Sequence, residues 1–274
     1  MAIIAIGQQL GSRGQMLGQL AAERLGYRFI NSTDILAAAA RRYQVTPEEL
    51  QLVDERSPRF WERLWTDTVR LYAFYSAMLL KEFIVDRTVV VGRATPLFVP
   101  EGANHVLRVR TVAPFEERRR QVAIDEKLEG AAAARRVRDY GREVRSRLQT
   151  MLGIDPDDPS IYHLVLNTAA MPMAALAEIL ANCAQLADRD ATAESSGKLR
   201  DASITAQVRA ALLAHPKIGN APVNVHTVNC VVTLRSAALV PPWDQLANRV
   251  AREIEGVVSV ELRIEEPPIP PRAA

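Results

Sequence analysis

Lysine is the scarce residue of this chain. Of its 34 basic residues only Lys81, Lys127, Lys198 and Lys217 are lysine, and the rest are arginine. No lysine precedes Lys81, which excludes an N-terminal phosphate loop of the kind that reaches the terminal phosphates with a lysine. Cysteine is scarcer still. Cys183 and Cys230 stand 47 positions apart, so neither a disulfide scaffold nor a zinc site is expected. The four histidines are scattered, with no pair at helical ligand spacing. Long apolar runs are missing: nothing approaches the roughly 18–20 residues of a membrane span. The opening Met-Ala-Ile-Ile-Ala-Ile-Gly is short and lacks the charged start of a signal peptide. One-sided charge is missing as well. A net charge of +2 gives no bulk electrostatic case for a nucleic-acid or membrane-surface partner. The expectation is a cytoplasmic protein with no membrane span and no nucleic-acid partner.

What is present suits two globular units. The chain has 274 residues, 48% apolar and 24% charged, enough for two domains. Residues 188–200 read D-R-D-A-T-A-E-S-S-G-K-L-R. They are polar and small and lack an apolar period, as in a linker. The expected domains are therefore 1–187 and 201–266, with a proline-rich tail over 267–274. Ala2–Ile6 reads as a buried-type strand. Leu17, Leu20, Ala21 and Leu25 recur at helical spacing, and Gly26 ends that helix. Thr46-Pro47-Glu48-Glu49 has the signature of a helix start. Residues 60–85 carry Trp61, Leu64, Trp65, Val69, Tyr72 and Tyr75 on a helical period. Strands are expected at Thr88–Val91, Val106–Val112 and Tyr162–Leu166, and helices after Pro114, over 131–151 and over 173–187. Alternating strands and helices imply an α/β layer fold with a parallel sheet. Residues 201–266 read helix, strand, strand, helix, strand, a small α+β unit with its own core.

A strand, a loop with Gly7, Gly11 and Gly14, and a helix form the physical recipe for a phosphate site. Gln15 and Met16 occupy the places where a general P-loop has its lysine and its magnesium-binding hydroxyl, so the loop alone also reads as a plain strand-to-helix turn. The second feature is a concentration of arginine: positions 108, 110, 118, 119, 120, 135, 136, 138, 142, 145 and 147. Arg135, Arg138, Arg142 and Arg145 share one helical face. Planar guanidiniums suit the charge that spreads over a transferring phosphoryl group; an arginine-preferring surface is the plain alternative. Arg118, Arg119 and Arg120 are consecutive and read as solvated. Trp61, Trp65, Tyr72 and Tyr75 read as core rather than as a base pocket. Cys183 and Cys230 read as packing.

Taken together, Ile4-Ala5-Ile6, Gly11-Ser12-Arg13-Gly14-Gln15-Met16-Leu17-Gly18, Leu25-Gly26-Tyr27, Val91-Gly92-Arg93, the Val-Arg-x-Val-Ala-Pro run at 109–114, Gly153-Ile154-Asp155 and Tyr162-x-Leu-Val-Leu-Asn-Thr resemble the cytidylate kinase-like family. These are P-loop relatives of nucleoside monophosphate kinases. The resemblance implies a parallel-sheet P-loop kinase-like domain that moves the γ-phosphate of ATP to CMP or a similar acceptor, with Mg2+ as cofactor and no protein metal site. It implies catalytic roles for Arg13, Arg138 and Arg142. It implies nucleotide binding by Gly11, Ser12, Arg13, Gly14, Gln15, Asp34, Arg93, Asp139 and Arg145. The family's loop resembles S-R-E-F-G-S-G-G-R. Here Gln8 and Gln9 replace its Arg and Glu, Gln15 replaces its last Arg, and an arginine appears at position 13. Asn31 and His163 stand where the family has Asp. These losses leave open a second reading: a kinase-fold nucleotide sensor or scaffold without turnover. Residues 201–266 resemble a BON domain through Asp201-Ala202-Ser203-Ile204-Thr205, Val208, Val223-x-Val225, Asn229-x-Val231-Val232-Thr233-Leu234 and Gly256-Val257-Val258-Ser259-Val260. That resemblance implies a module binding a small molecule, a lipid or a protein.

Overall fold

A computed structural model describes residues 1–46, 65–219, 221–237 and 239–264, with the side chains of 65–68 outside the description. The helix start at 47–49, Trp61, the side chain of Trp65 and the tail over 267–274 lie outside the described residues.

The first sheet has five parallel strands in the order β2-β3-β1-β4-β5. Its strands are β1 (Ile3–Gln8), β2 (Arg28–Asn31), β3 (Thr88–Gly92), β4 (Val106–Val112) and β5 (Leu164–Asn167). Central β1 pairs with β3 through Ile4–Val89 and with β4 through Ile4–Leu107. Helices cover both faces, so β1 and β3 are continuous apolar runs rather than alternating ones. One face holds Ile4, Ile6, Val89, Val91 and Val109 against α1 (Gly14–Leu25) and α6 (Met173–Ala187). The other holds Ile3, Ala5 and Val90 against α2 (Ser32–Tyr43) and α3 (Trp65–Phe83). Neither β2 nor α2 is among the elements that the periodicity predicts. The junction between them is made locally: the Asn31 side chain accepts from the Asp34 N–H, and the Asp34 carboxylate accepts from the Asn31 N–H, a reciprocal capping box. Two charged helices, α4 (Phe115–Asp125) and α5 (Gly130–Leu152), project beyond β4 and share a small core of Val122, Ala133 and Val137.

The second sheet has order β6-β7-β8, with β6 (Asn224–Val228), β7 (Val231–Arg235) and β8 (Ser259–Arg263). β6 and β7 pair antiparallel, β7 and β8 parallel. The helix α8 (Trp243–Arg252) supplies Ala247 and Ala251 to the core beneath.

The stretch read as an open linker is folded. Asp188–Asp190 forms a 3-10 turn, and 193–200 is the start of α7 (Ala193–Ala214). The Thr192 hydroxyl caps this helix by accepting from the Ser195 N–H at 3.1 Å. Polar composition hid a helix that is apolar on two faces. Leu199, Ala206 and Ala210 join the core around α3, while Ile204, Val208 and Leu212 join the core of the second sheet. One helix is thus shared by both units.

Candidate functional site

The loop between β1 and α1 lies at the C-terminal edge of the sheet, where open α/β sheets bind ligands. It is held tightly. The Ser12 hydroxyl donates to the Gln9 carbonyl at 2.7 Å and meets the Thr111 hydroxyl at 2.9 Å, and the Ser12 carbonyl accepts from the Thr168 hydroxyl at 2.8 Å. Ser12 is fully buried by these contacts. Gly11 has φ +79°, and a Cβ there would lie 2.5 Å from the Arg118 carbonyl oxygen. A Cβ on Gly14 would lie 2.7 Å from Gln8 Cβ, Gln8 Oε1 and Thr111 Oγ1. Both glycines are there because α4 and the Gln8 side chain pass directly over the loop.

Gln8 does more than pass. Its Oε1 accepts from the Gln15 N–H at 3.1 Å. A side-chain carbonyl thus satisfies one of the free amides at the start of α1, the kind of donor that phosphate oxygens use. Arg13 is in the left-handed region at φ 55°, and its Nε donates to Gln121 Oε1 on α4 at 2.7 Å. The guanidinium is thereby tied to α4.

The loop opens on a cavity of about 490 Å³ whose walls include Gln8, Gly11, Arg13, Gln15, Arg93 and Tyr140. That volume falls within the roughly 300–1,000 Å³ of small-ligand sites. Arg93 follows β3 and stacks on the Tyr140 ring at 4.4 Å, so strand end and α5 meet across the cavity. Arg136 approaches the same ring at 5.3 Å. Beside it, a cavity of about 60 Å³ is lined by Tyr72, Tyr75, Phe98, Arg93 and Arg147. Tyr72 and Tyr75 pack on Phe98, Tyr75 against the core that Leu71 and Phe74 of α3 enter, and both also line this small cavity. Burial pushes the Tyr72 phenol well up, and its hydroxyl has no hydrogen-bond partner.

The residues expected at the site divide into three groups. Gly11, Arg13, Gln15 and Arg93 line the 490 Å³ cavity. Arg138, Arg142 and Arg145 line a different cavity of about 240 Å³, on the far side of Leu10 and Tyr140. There Arg138 stacks on Phe115 at 5.5 Å, Arg142 pairs with Asp139, and Arg145 pairs with Asp157 and Asp155. Ser12, Gly14, Asp34 and Asp139 border neither cavity. Ser12 and Gly14 shape the loop, Asp34 caps α2, and Asp139 pairs along α5. His163 also borders neither. Its Nδ1 accepts from the Arg108 N–H at 3.1 Å, and burial followed by the Arg108 charge pushes its pKa down. Sequence reasoning missed Gln121, Tyr140 and Arg110. Only Arg110 had a readable signal, as one of the arginines concentrated over 108–147 and one that falls within a strand.

The loop itself offers magnesium no carboxylate and no free hydroxyl, whereas the cavity it opens on is lined by Asp125, Ser32 and Thr33. The buried Ser12 hydroxyl is already committed, and Asp125 is the one carboxylate on the wall of the larger cavity among the described residues. Sites that hold Mg2+ beside phosphates use one or two carboxylates together with a hydroxyl or further oxygen ligands. Among the described residues no group of three or more His, Cys, Asp or Glu side chains gathers to hold a metal. No described helix is long and apolar enough to cross a membrane.

Comparison with known proteins finds matches to both units of the chain. The BON domain model matches residues 200–235. The chain is 24% identical over 166 residues to the cytidylate kinase of Methanothermobacter thermautotrophicus, covering 61% of this chain and 94% of that protein. It is 27% identical over 167 residues to the cytidylate kinase of Methanopyrus kandleri, covering 61% and 84%. Among solved structures, an uncharacterized protein from Eubacterium ventriosum shares the fold at a TM-score of 0.52 and 11% identity, over 68% of this chain and 99% of that one. The cytidylate kinase-like family model matches residues 3–170, well over half of the sequence, and the chain belongs to that family.

Proposed function

We propose that the N-terminal unit binds a cytidylate-type nucleoside monophosphate in the 490 Å³ cavity and works as a nucleotide sensor rather than as an efficient phosphotransferase. Family membership and the curated cytidylate kinases support the nucleotide. Arg93 is the group placed to hold the acceptor phosphate: it ends β3, stacks on Tyr140, and borders the cavity opposite Gly11 and Gln15. The observation that carries the sensor reading is the state of the loop. Gln8 Oε1 takes the Gln15 amide, and Arg13 is held by Gln121. Phosphoryl transfer depends on cations and amides aimed at the transferring group, and here the Gln15 amide and the Arg13 guanidinium are each already engaged by a glutamine of the protein. ATP would supply the phosphoryl group in the kinase reading, but no residue of this loop fits the magnesium that normally accompanies it. The cytoplasm is the compartment that suits such a nucleotide-binding role.

The kinase reading keeps one specific observation in its favour: Arg13 and Arg93 border one cavity. Calorimetric titration with CMP, paired with a coupled ADP-release assay across nucleoside monophosphates and ATP, separates the two. The expected result is CMP binding with ADP release no faster than the enzyme-free background. ADP release dependent on a particular acceptor would make the protein a kinase, and absence of nucleotide binding would leave only a scaffold.

A further inference from the structure

The nucleotide reading makes no use of α7, the helix that both units share. No open linker separates the units: the 3-10 turn Asp188–Asp190 follows α6 directly, and α7 begins at Ala193. The junction is tied to the first sheet at several points. The Asp188 carboxylate accepts from the Ala2 N–H just before β1. The Ser195 hydroxyl accepts from the His105 N–H at 3.3 Å and pairs with His105 Nδ1 at 2.5 Å. Further along, Leu199, Ala206 and Ala210 enter the same core as Leu71 and Phe74 of α3, and Leu213 packs on it. The other side of α7 is bound just as closely. Ile204, Val208 and Leu212 enter the core that holds Val232 and Leu234 of β7. The Thr205 hydroxyl donates to the Thr227 hydroxyl on β6 at 2.8 Å. In turn, α3 reaches the ligand side of the molecule. Its Tyr72 and Tyr75 line the 60 Å³ cavity together with Arg93, and Arg93 lines the 490 Å³ cavity as well.

We infer that α3 and α7 join the two units into one cooperative body, so that occupancy of the nucleotide cavity sets how often the C-terminal unit opens. The physical reason lies in the shared helix. A helix in a folded protein draws most of its stability from the packing of its apolar faces. Without the second sheet, α7 would expose Ile204, Val208 and Leu212; without α7, the core around α3 would lose Leu199, Ala206 and Ala210. Neither unit keeps its core when the other opens. A ligand that binds only the folded state favours that state by one plus the ratio of its concentration to its Kd. Whatever unfolds together with the cavity gains the same factor. The ligand in this inference rests on the nucleotide reading, whereas the linkage between the units does not. A sensor without turnover thereby acquires an output, the persistence of the C-terminal unit.

The test uses the full chain and has two arms, both read at the backbone amides of β1 and β7. The first arm needs no ligand. Val232 is fully buried in the core of the second sheet, and Val232→Ala loosens that core alone. Urea unfolding is expected to show one midpoint for β1 and β7 in the parent, and one lower midpoint for both in the variant. Should Val232→Ala not fold, Val260→Ala at a partly buried position of the same core gives the same readout. A midpoint lowered at β7 and unchanged at β1 would overturn the linkage. The second arm adds CMP and follows hydrogen exchange. At about a hundred times its Kd, CMP is expected to slow exchange about a hundredfold at β7 as at β1. Slowing at β1 with β7 unchanged would overturn the inference. If calorimetry shows no CMP binding, the nucleotide reading falls, and the Val232→Ala arm by itself decides the linkage.

Discussion

At the scale of single residues, the loop is decided by what Gln8 and Arg13 touch. Both were visible in the sequence as departures, a glutamine where the family has arginine and an arginine two places early. Their consequence was not visible, because a residue's type does not say where its end group goes. Gln8 reaches forward seven positions to the Gln15 amide, and Arg13 reaches across to Gln121, which is 108 positions away. Gln8→Ala removes the competing carbonyl and keeps the backbone. If the amide is thereby freed for a phosphate oxygen, ATP should bind roughly two- to tenfold more tightly, the range of one neutral hydrogen bond. Titration of the variant against the parent checks this. Weaker binding would show that Gln8 itself contacts the nucleotide.

Among the elements, the strands and most helices were legible because their signal is local. The apolar runs of β1 and β3 and the three- and four-residue spacing of α1 depend only on which faces are buried. The helix α7 was not legible at its start. Ala193–Arg200 is polar on average, and only packing against α3 reveals Leu199 as a core residue. The same helix carries the device that fixes the β6–β7 hairpin. Asn229 and Cys230 both have positive φ, at 50° and 64°, where glycine would be at ease. The Asp201 carboxylate accepts from the N–H of each at 2.8 Å. This explains how the turn persists without glycine: a charged acceptor from α7 compensates the backbone cost. Asp201→Ala should therefore destabilise the C-terminal unit by roughly 1.5–3 kcal/mol, the value of hydrogen bonds to a charged group. Urea unfolding followed by amide signals of the β6–β7 hairpin reads the loss. An unchanged midpoint would mean the turn is held by packing alone.

For the whole molecule, the two units meet through α7, and one titratable group lies at that junction. His105, just before β4, is 2% exposed, and its Nδ1 pairs with the Ser195 hydroxyl near the start of α7. Burial first, then the N-terminal ammonium, push its pKa down, while Asp86 and Asp188 oppose the shift. The folded state therefore prefers neutral His105, whereas the unfolded chain takes up a proton near pH 6.5. Stability is fully present above that pH and is lost as pH falls from 6.5 toward the folded-state value. Unfolding midpoints at pH 7.5, 6.5 and 5.5 should decline in that order, and His105→Gln should flatten the decline. An identical slope in the variant would assign it elsewhere, with His163 the next group whose pKa is lowered. By itself, the sequence determined the fold class, most of the strands and helices, the family, and the absence of a loop lysine. Each of these is written in local periodicity or in motifs a few residues long. Tertiary structure alone decided which arginines share a cavity. Arg93 and Arg13 came to one side of Tyr140, and Arg138, Arg142 and Arg145 came with Arg110 to the other. The reason is geometric: side chains far apart in sequence converge only where sheet register and helix packing bring their ends together.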